Sequence, residues 1–228
     1  ESWQRRNPGW TVRVLDDASL TNWVDMHDVR DQNPRITIQA FSDVLRWRLL
    51  KQHGGVWADA TLYCNRPIED WLPNQLQKAA IFVFRTDEIF LLHSWFIAAR
   101  PDSPLVSAMS DQMTIFTCRY GGFRHYFELR GLWRIYNQIE KHSGRGNYFI
   151  WRSRIFRQFL KASPYFFQNY LLGYLVTTLS ECRKEFNSIE MTYGEAPHAL
   201  QQMTQDGKPP SLEAVRQLLV GDCPVQKL

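Results

Sequence analysis

The amino-acid sequence predicts an α/β fold with a mostly helical C-terminal annex, and three observations carry that prediction. Segments of strand character alternate with helical ones through the first half. The run from Val56 to Tyr63 is β-branched and aromatic, as a buried strand would be. Beyond Arg119 the pattern becomes mostly helical. The expected organisation is an α/β core over residues 1–118, completed by a basic, helical annex over 119–228.

Thr11 to Leu15 reads as a short strand, entered from the Asn7-Pro8-Gly9 turn and left through Asp16-Asp17. Asn33-Pro34 ends whatever helix precedes it. A helix is expected from Ser42, a good N-cap, with Asp43 in the first turn and Gly54 as the C-cap. Val56 to Tyr63 follows as one strand and Ala80 to Phe84 as another, while Ile89 to Ala99 is ambiguous. Ser103 to Phe116 opens with a Ser-Pro start signal and reads as a helix. Ile155, Phe156, Phe159 and Leu160 share one side of a helix, with Arg152, Arg154, Arg157 and Lys161 mostly on the other. Pro164 interrupts it, and a more uniformly apolar helix follows. Leu212, Val215, Leu218 and Leu219 mark a last amphipathic helix before a Gly-Asp-Cys-Pro turn.

Composition excludes several classes of function. At 228 residues with 44% hydrophobic and 22% charged side chains, the chain can bury a real core. Cys64, Cys118, Cys182 and Cys223 show no paired spacing, which argues against a zinc site or disulfide framework and for reduced thiols in a cytoplasmic setting. The apolar stretch Tyr165 to Leu179 is too short to span a bilayer and holds Gln168 and Asn169. The net charge of +4 hides an asymmetry: residues 119–161 carry ten basic and two acidic side chains, between flanks that are each slightly acidic. Such a block suits a polyanionic glycan, a nucleic acid or an anionic membrane, the last implying peripheral contact with the inner face of the cell membrane; a solvated helical face would look similar. No RNP, zinc-finger or helix-turn-helix signature is present, so no nucleic-acid partner is expected.

The chemistry concentrates between Phe41 and Cys64. Asp43 and Arg46 lie three apart and project from one helix face. The Gly54-Gly55 turn and the following strand carry Trp57, Asp59 and Thr61 back toward them. Ligands in α/β sheets gather at the carboxyl ends of strands, so two carboxylates, a guanidinium and a hydroxyl would share one cleft at that edge of the sheet. A sugar diphosphate calls for that set: Asp59 for a divalent cation, Arg46 for a phosphate or the sugar, Asp43 for sugar hydroxyls. The blander alternatives are that Asp43 serves the helix dipole, Arg46 simply pairs with it, Trp57 fills core and Thr61 is an ordinary strand residue. A glycoside hydrolase would also need two carboxylates, but the Gly-Gly-strand setting favours a diphosphate.

Ser42-Asp43-Val44-Leu45-Arg46, the glycine pair, then Trp57-Ala58-Asp59-Ala60-Thr61 resemble the D-x-D sugar-transferase family, in its capsular polysaccharide synthesis branch. Ser2-Trp3, Asn7-Pro8-Gly9-Trp10, Val14-Leu15-Asp16-Asp17, Ser94 through Ala99 with Pro101, and Pro197-His198-Ala199-Leu200 with the terminal Lys227-Leu228 agree with it, most sharply over residues 1–105. The resemblance implies a GT-A fold, a UDP- or GDP-sugar donor, Mn²⁺ or Mg²⁺, retention of anomeric configuration, and a glycan or lipid-linked acceptor. It assigns Asp43, Arg46 and Asp59 to catalysis, Ser42, Trp57, Ser94 and Trp95 to substrate, and Asp59 with Thr61 to the metal. His93 and His198 are read as structural. Three features depart from the pattern: Thr61 stands where the motif has its second acid, Ser94 replaces an Asn, and Gln226 stands where a metal-completing His is common. The chain opens at Glu1 without an initiator Met or signal peptide, and the family's first strand would lie upstream. A non-catalytic glycan- or nucleic-acid-binding module is the alternative function.

Overall fold

The computed structural model describes residues 1–34, 36–85, 91–120, 124–125, 162–163, 167–192, 196–203 and 210–228. It is a mixed α/β structure, mostly helical, with small antiparallel sheets. The helices are α1 Ser2–Arg6, α2 His27–Gln32, α3 Ile38–His53, α4 Leu72–Lys78, α5 Pro104–Tyr120, α6 Phe167–Thr178, α7 Ser180–Ser188, α8 Ala199–Met203 and α9 Leu212–Val220. The strands are β1 Gly55–Ala58, β2 Leu62–Cys64, β3 Ile81–Val83, β4 Phe96–Ala99, the two-residue parallel pair β5 Arg124–His125 and β6 Ala162–Ser163, and β7 Val225–Lys227.

The main sheet has the order β1-β4-β3 and is antiparallel throughout. Strand periodicity sorts its side chains onto two faces. Ile81, Val83, Ile97 and Ala99 join the larger core, built with Val44, Trp47 and Leu50 of α3, Leu105, Val106 and Met109 of α5, and Leu171, Leu172 and Leu175 of α6. Phe82, Phe96 and Ala98 face the other way, onto Leu62, Ile68, Leu72, Trp95 and Val225. The parity of β1 decides the site: Val56 and Ala58 pack with the second cluster, while Trp57 packs with the first, on the side of α3.

Polar clamps hold the helices around this sheet. Arg48 of α3 grips both carboxylate oxygens of Asp28 on α2, at 2.7 and 2.6 Å, and donates to Thr114 of α5. The same pairing holds the Asp28 carboxyl below its ordinary range. Ser103 and the backbone N–H of Leu105, at the start of α5, donate to the buried Glu185 of α7, and burial raises the Glu185 carboxyl.

Four expectations are corrected. Thr11 to Leu15 is not a strand: it has no ladder partner among the described residues, and Val14 is 86% exposed. Helix α3 begins at Ile38, capped by Thr37, whose hydroxyl accepts from the Ala40 N–H, so Asp43 sits in the second turn and not the first. A second competent cap upstream outcompetes Ser42. The segment Val56 to Tyr63 is two strands in different sheets, broken by a turn at Asp59 to Thr61 that the Leu62 N–H closes on the Asp59 carbonyl at 2.9 Å. The sheet is antiparallel, so the carboxyl-end rule for parallel sheets does not explain where the site lies. Gly54 does close α3, Phe96–Ala99 resolves the ambiguous segment as a strand, and Ser103 caps α5 as expected. The basic amphipathic helix and Pro164 lie outside the described residues. Among the described residues no helix is long and apolar enough to cross a membrane, and the four cysteines are free.

Gly54 and Gly55 turn the chain from α3 into β1 with φ of 65° and 87°. A Cβ on Gly54 would lie 2.7 Å from the Pro101 ring and 2.9 Å from the Ala99 carbonyl oxygen, whereas one on Gly55 meets nothing within 4 Å. Gly54→Ala is therefore expected to destabilise the fold by about 2 kcal/mol or more, and by more than Gly55→Ala; urea unfolding of the two variants measures the difference.

Candidate functional site

Chain geometry alone explains why residues sixteen apart meet. From Arg46 to the end of α3 the helix climbs about 10 Å. After the glycine turn, β1 runs back and covers about 13 Å by Asp59. The two lengths nearly cancel, so Asp59 arrives beside the turn of α3 that carries Asp43 and Arg46. Strand parity then points Trp57 and Asp59 at α3.

Arg46 is the centre of the cluster. Its side chain is only 6% exposed, and its guanidinium is committed in every direction. Nη1 donates to the Ser94 carbonyl at 2.6 Å, Nε to the Ser42 carbonyl at 3.3 Å, and Nη2 to the Ser42 hydroxyl at 3.3 Å. Nη2 also lies 3.0 Å from the Asp43 carboxylate and 3.8 Å from that of Asp59. The Trp57 ring sits against it, with its centroid 5.2 Å from Cζ. A guanidinium so placed fixes where the two acids can be, because releasing either would strand a buried charge.

Asp59 is held from several sides yet keeps an open edge: its side chain is 28% exposed. The Trp57 indole N–H donates to Oδ1 at 2.8 Å. The Asp59 backbone N–H donates to the Trp95 carbonyl at 2.9 Å. Across from Oδ2, at 3.7 Å, stands the Lys227 ammonium of β7, which also donates to the Thr61 hydroxyl at 2.5 Å. Burial lowers the Lys227 pKa, against the opposing pull of Asp59.

Asp43 has the same fractional exposure as Asp59. Desolvation raises its pKa from 3.8 to about 6, over the opposing effect of Arg46, while the Asp59 charge adds to the rise and a hydrogen bond from Gln168 opposes it. Its side chain remains 28% accessible, so water at that edge moderates the displacement. Gln168 is positioned by its own bond, accepting from the indole N–H of Trp47 at 2.7 Å.

The structure thus brings together Ser42, Asp43, Arg46, Trp57, Asp59 and Thr61. Ser94 takes part through its carbonyl, so a Ser-for-Asn exchange there leaves the contact to Arg46 intact. Trp95 is 7% exposed and its ring stacks on Phe84 with centroids 5.0 Å apart, so the ring packs in the second core cluster and the residue meets the site through its backbone carbonyl. His93 and His198 pack with that ring, at 5.3 and 5.5 Å. Gln226 is buried and donates to the Ala196 carbonyl at 3.3 Å. Gln168 escapes the sequence reading as a site residue, although it is visible as an amide inside an apolar helix; Lys227 enters that reading only as part of the terminal Lys227-Leu228 resemblance, with no role in the site. Asn169 completes the first signal, accepting from the Leu92 N–H at 3.0 Å and fixing the segment that leads to Ser94.

Residues 1–148 of this chain match the capsular polysaccharide synthesis protein family. The chain belongs to that family, as the resemblance of its motifs indicated. It is also similar to the Saccharomyces cerevisiae protein named "Putative glycosyltransferase HOC1", with 25% identity over 126 residues, covering 46% of this chain and 31% of that protein. The chain therefore spans less than a third of that relative's length. No solved structure matches it.

Two outcomes follow from the site's electrostatics. Removing the guanidinium in Arg46→Met is expected to cost about 2–4 kcal/mol in denaturant unfolding, since two acids and the Ser94 carbonyl lose their partner. Asp43 takes up its proton more readily folded than unfolded, so its contribution to stability is full below pH 3.8 and is lost as pH rises through about 6. Compared with Asp43→Asn, the wild-type protein should lose stability across that window, as followed by thermal unfolding at a series of pH values.

Proposed function

We propose that this chain is the catalytic core of a retaining glycosyltransferase that moves a hexose from a UDP- or GDP-sugar to a glycan or lipid-linked acceptor in capsule or surface-polysaccharide synthesis. The observation that carries the proposal is the single cluster formed by Asp43, Arg46 and Asp59 in a chain of the capsular polysaccharide synthesis family. The similarity to a yeast protein named as a glycosyltransferase supports it. A GT-A architecture, with residues 1–118 as the donor-binding part, belongs to the same proposal.

A divalent cation, Mn²⁺ or Mg²⁺, fits this reading. The described residues hold no group of three or more His, Cys, Asp or Glu able to bind a metal. A cation bound together with a diphosphate needs fewer protein ligands, because phosphate oxygens and water fill the remainder. Asp59 and Thr61 would hold it, and the Lys227 ammonium already rests between those two side chains as a stand-in cation. When bound, the metal neutralises the charge that gathers on the leaving diphosphate.

The protein's own residues then divide the remaining work. Asp43, ionised above about pH 6, accepts hydrogen bonds from the donor sugar's hydroxyls. Arg46 holds Asp43 and Asp59 at fixed separation and sets the charge of the pocket. Trp57 gives one wall and locks the Asp59 carboxylate through its indole N–H. In the transfer, the bond between the anomeric carbon and the phosphate oxygen breaks as the acceptor oxygen bonds that carbon from the same face. The acceptor's proton passes to the departing phosphate oxygen. The basic block 119–161 offers a surface for a charged glycan, a lipid-linked acceptor or the anionic membrane face.

The test is a panel of UDP- and GDP-sugars with Mn²⁺, read by thermal stabilisation and by sugar release or transfer in mass spectrometry. One nucleotide class is expected to stabilise the protein. Asp59→Asn should lower turnover by on the order of a hundredfold or more. Turnover that survives this substitution removes Asp59 from the mechanism. Donor affinity should also weaken as pH falls through about 6, and this dependence should be absent in Asp43→Asn.

A further inference from the structure

The two side chains suited to a divalent cation, Asp59 and Thr61, are the two that Lys227 occupies. Its ammonium stands 3.7 Å from Asp59 Oδ2 and 2.5 Å from Thr61 Oγ1. The placement is built into the backbone. Strand β7 pairs antiparallel with β2, with Lys227 directly opposite Leu62, and the Leu228 N–H donates to the Thr61 carbonyl at 2.8 Å. The side chain is only 17% exposed, so the ammonium is not a wandering surface charge.

Charge balance gives the arrangement a consequence. In the donor-free protein, Asp43 and Asp59 are matched by Arg46 and Lys227, and the cluster is neutral once Asp43 is ionised. A divalent cation arriving alone would face the ammonium across one carboxylate and leave the cluster at +2. A nucleotide-sugar diphosphate arriving alone, with its two negative charges, would leave it at −2. Only the two together restore neutrality, and the displaced ammonium then has a phosphate oxygen to pair with.

We propose that Lys227 is a tethered cation that occupies the divalent-metal position in the donor-free protein, so that ammonium and metal are alternative partners of Asp59 and Thr61 and the metal binds well only together with the diphosphate. This rests on the donor-site reading above, and extends it by giving the site an order of occupation: free metal is held off until the donor's charge arrives.

Mn²⁺ binding by the full chain, followed by the electron paramagnetic resonance signal of the free ion, tests the proposal without any need for turnover. Titrations compare the wild type, Lys227→Met, Lys227→Gln and Asp59→Asn, each without nucleotide and with saturating UDP or GDP. Without nucleotide, both Lys227 variants are expected to bind Mn²⁺ at least about fivefold more tightly than the wild type. With nucleotide that advantage should shrink or reverse, and Asp59→Asn should bind weakly in both settings. The two replacements differ in polarity, so one that fails to fold leaves the other to decide. If neither raises the donor-free affinity while Asp59→Asn lowers the nucleotide-dependent one, Lys227 is not the competitor and the donor site stands. If Asp59→Asn leaves Mn²⁺ binding unchanged with nucleotide, Asp59 does not hold the metal and both readings fall.

Discussion

A guanidinium buried between a helix and a sheet edge governs this structure. Arg46 cannot be left unpaired in that position, since desolvating a permanent charge without partners costs several kcal/mol. Its partners come from three places in the chain: the preceding turn of α3, the end of β1, and the Ser94 carbonyl ahead of β4, with the Trp57 ring of β1 closing one side. Each of these is therefore held where the guanidinium needs it. The acids are placed by that requirement first, and whatever ligand the site takes meets them already positioned.

The constraint works because the backbone delivers the partners to the same level. A helix rising slowly and a strand running back quickly cover similar distances on either side of Gly54-Gly55. Gly54 is pressed against Pro101 and the Ala99 carbonyl, which ties the turn to the end of the central strand β4. Local turn chemistry and the electrostatics of the cluster are thus coupled through a single antiparallel sheet.

The C-terminal part closes the site. Gln168 joins Trp47 and Asp43, Asn169 holds the segment leading to Ser94, and Lys227 reaches Asp59 and Thr61 from a strand paired with β2. These residues lie beyond the span that matches the family, residues 1–148. The recognisable motifs supply the acids and the guanidinium, and later segments supply the groups that tune them. The Asp43 carboxyl shows the balance: burial lifts it to about 6, while the hydrogen bond from Gln168 pulls against that rise.

Much of this was legible in the residues themselves. The helix ending at Gly54, the strand around Val83, the Ser103 cap of α5 and the meeting of Asp43, Arg46 and Asp59 follow from capping preference, strand periodicity and the matched lengths of two elements. These are local rules acting over short spans. Tertiary structure alone decided that Asp59 to Thr61 breaks one strand into two, that the Trp95 ring belongs to the core, and that Gln168 and Lys227 join the site. Each depends on a partner far along the chain, and a competition between distant contacts leaves no periodic trace in the segment where it is won.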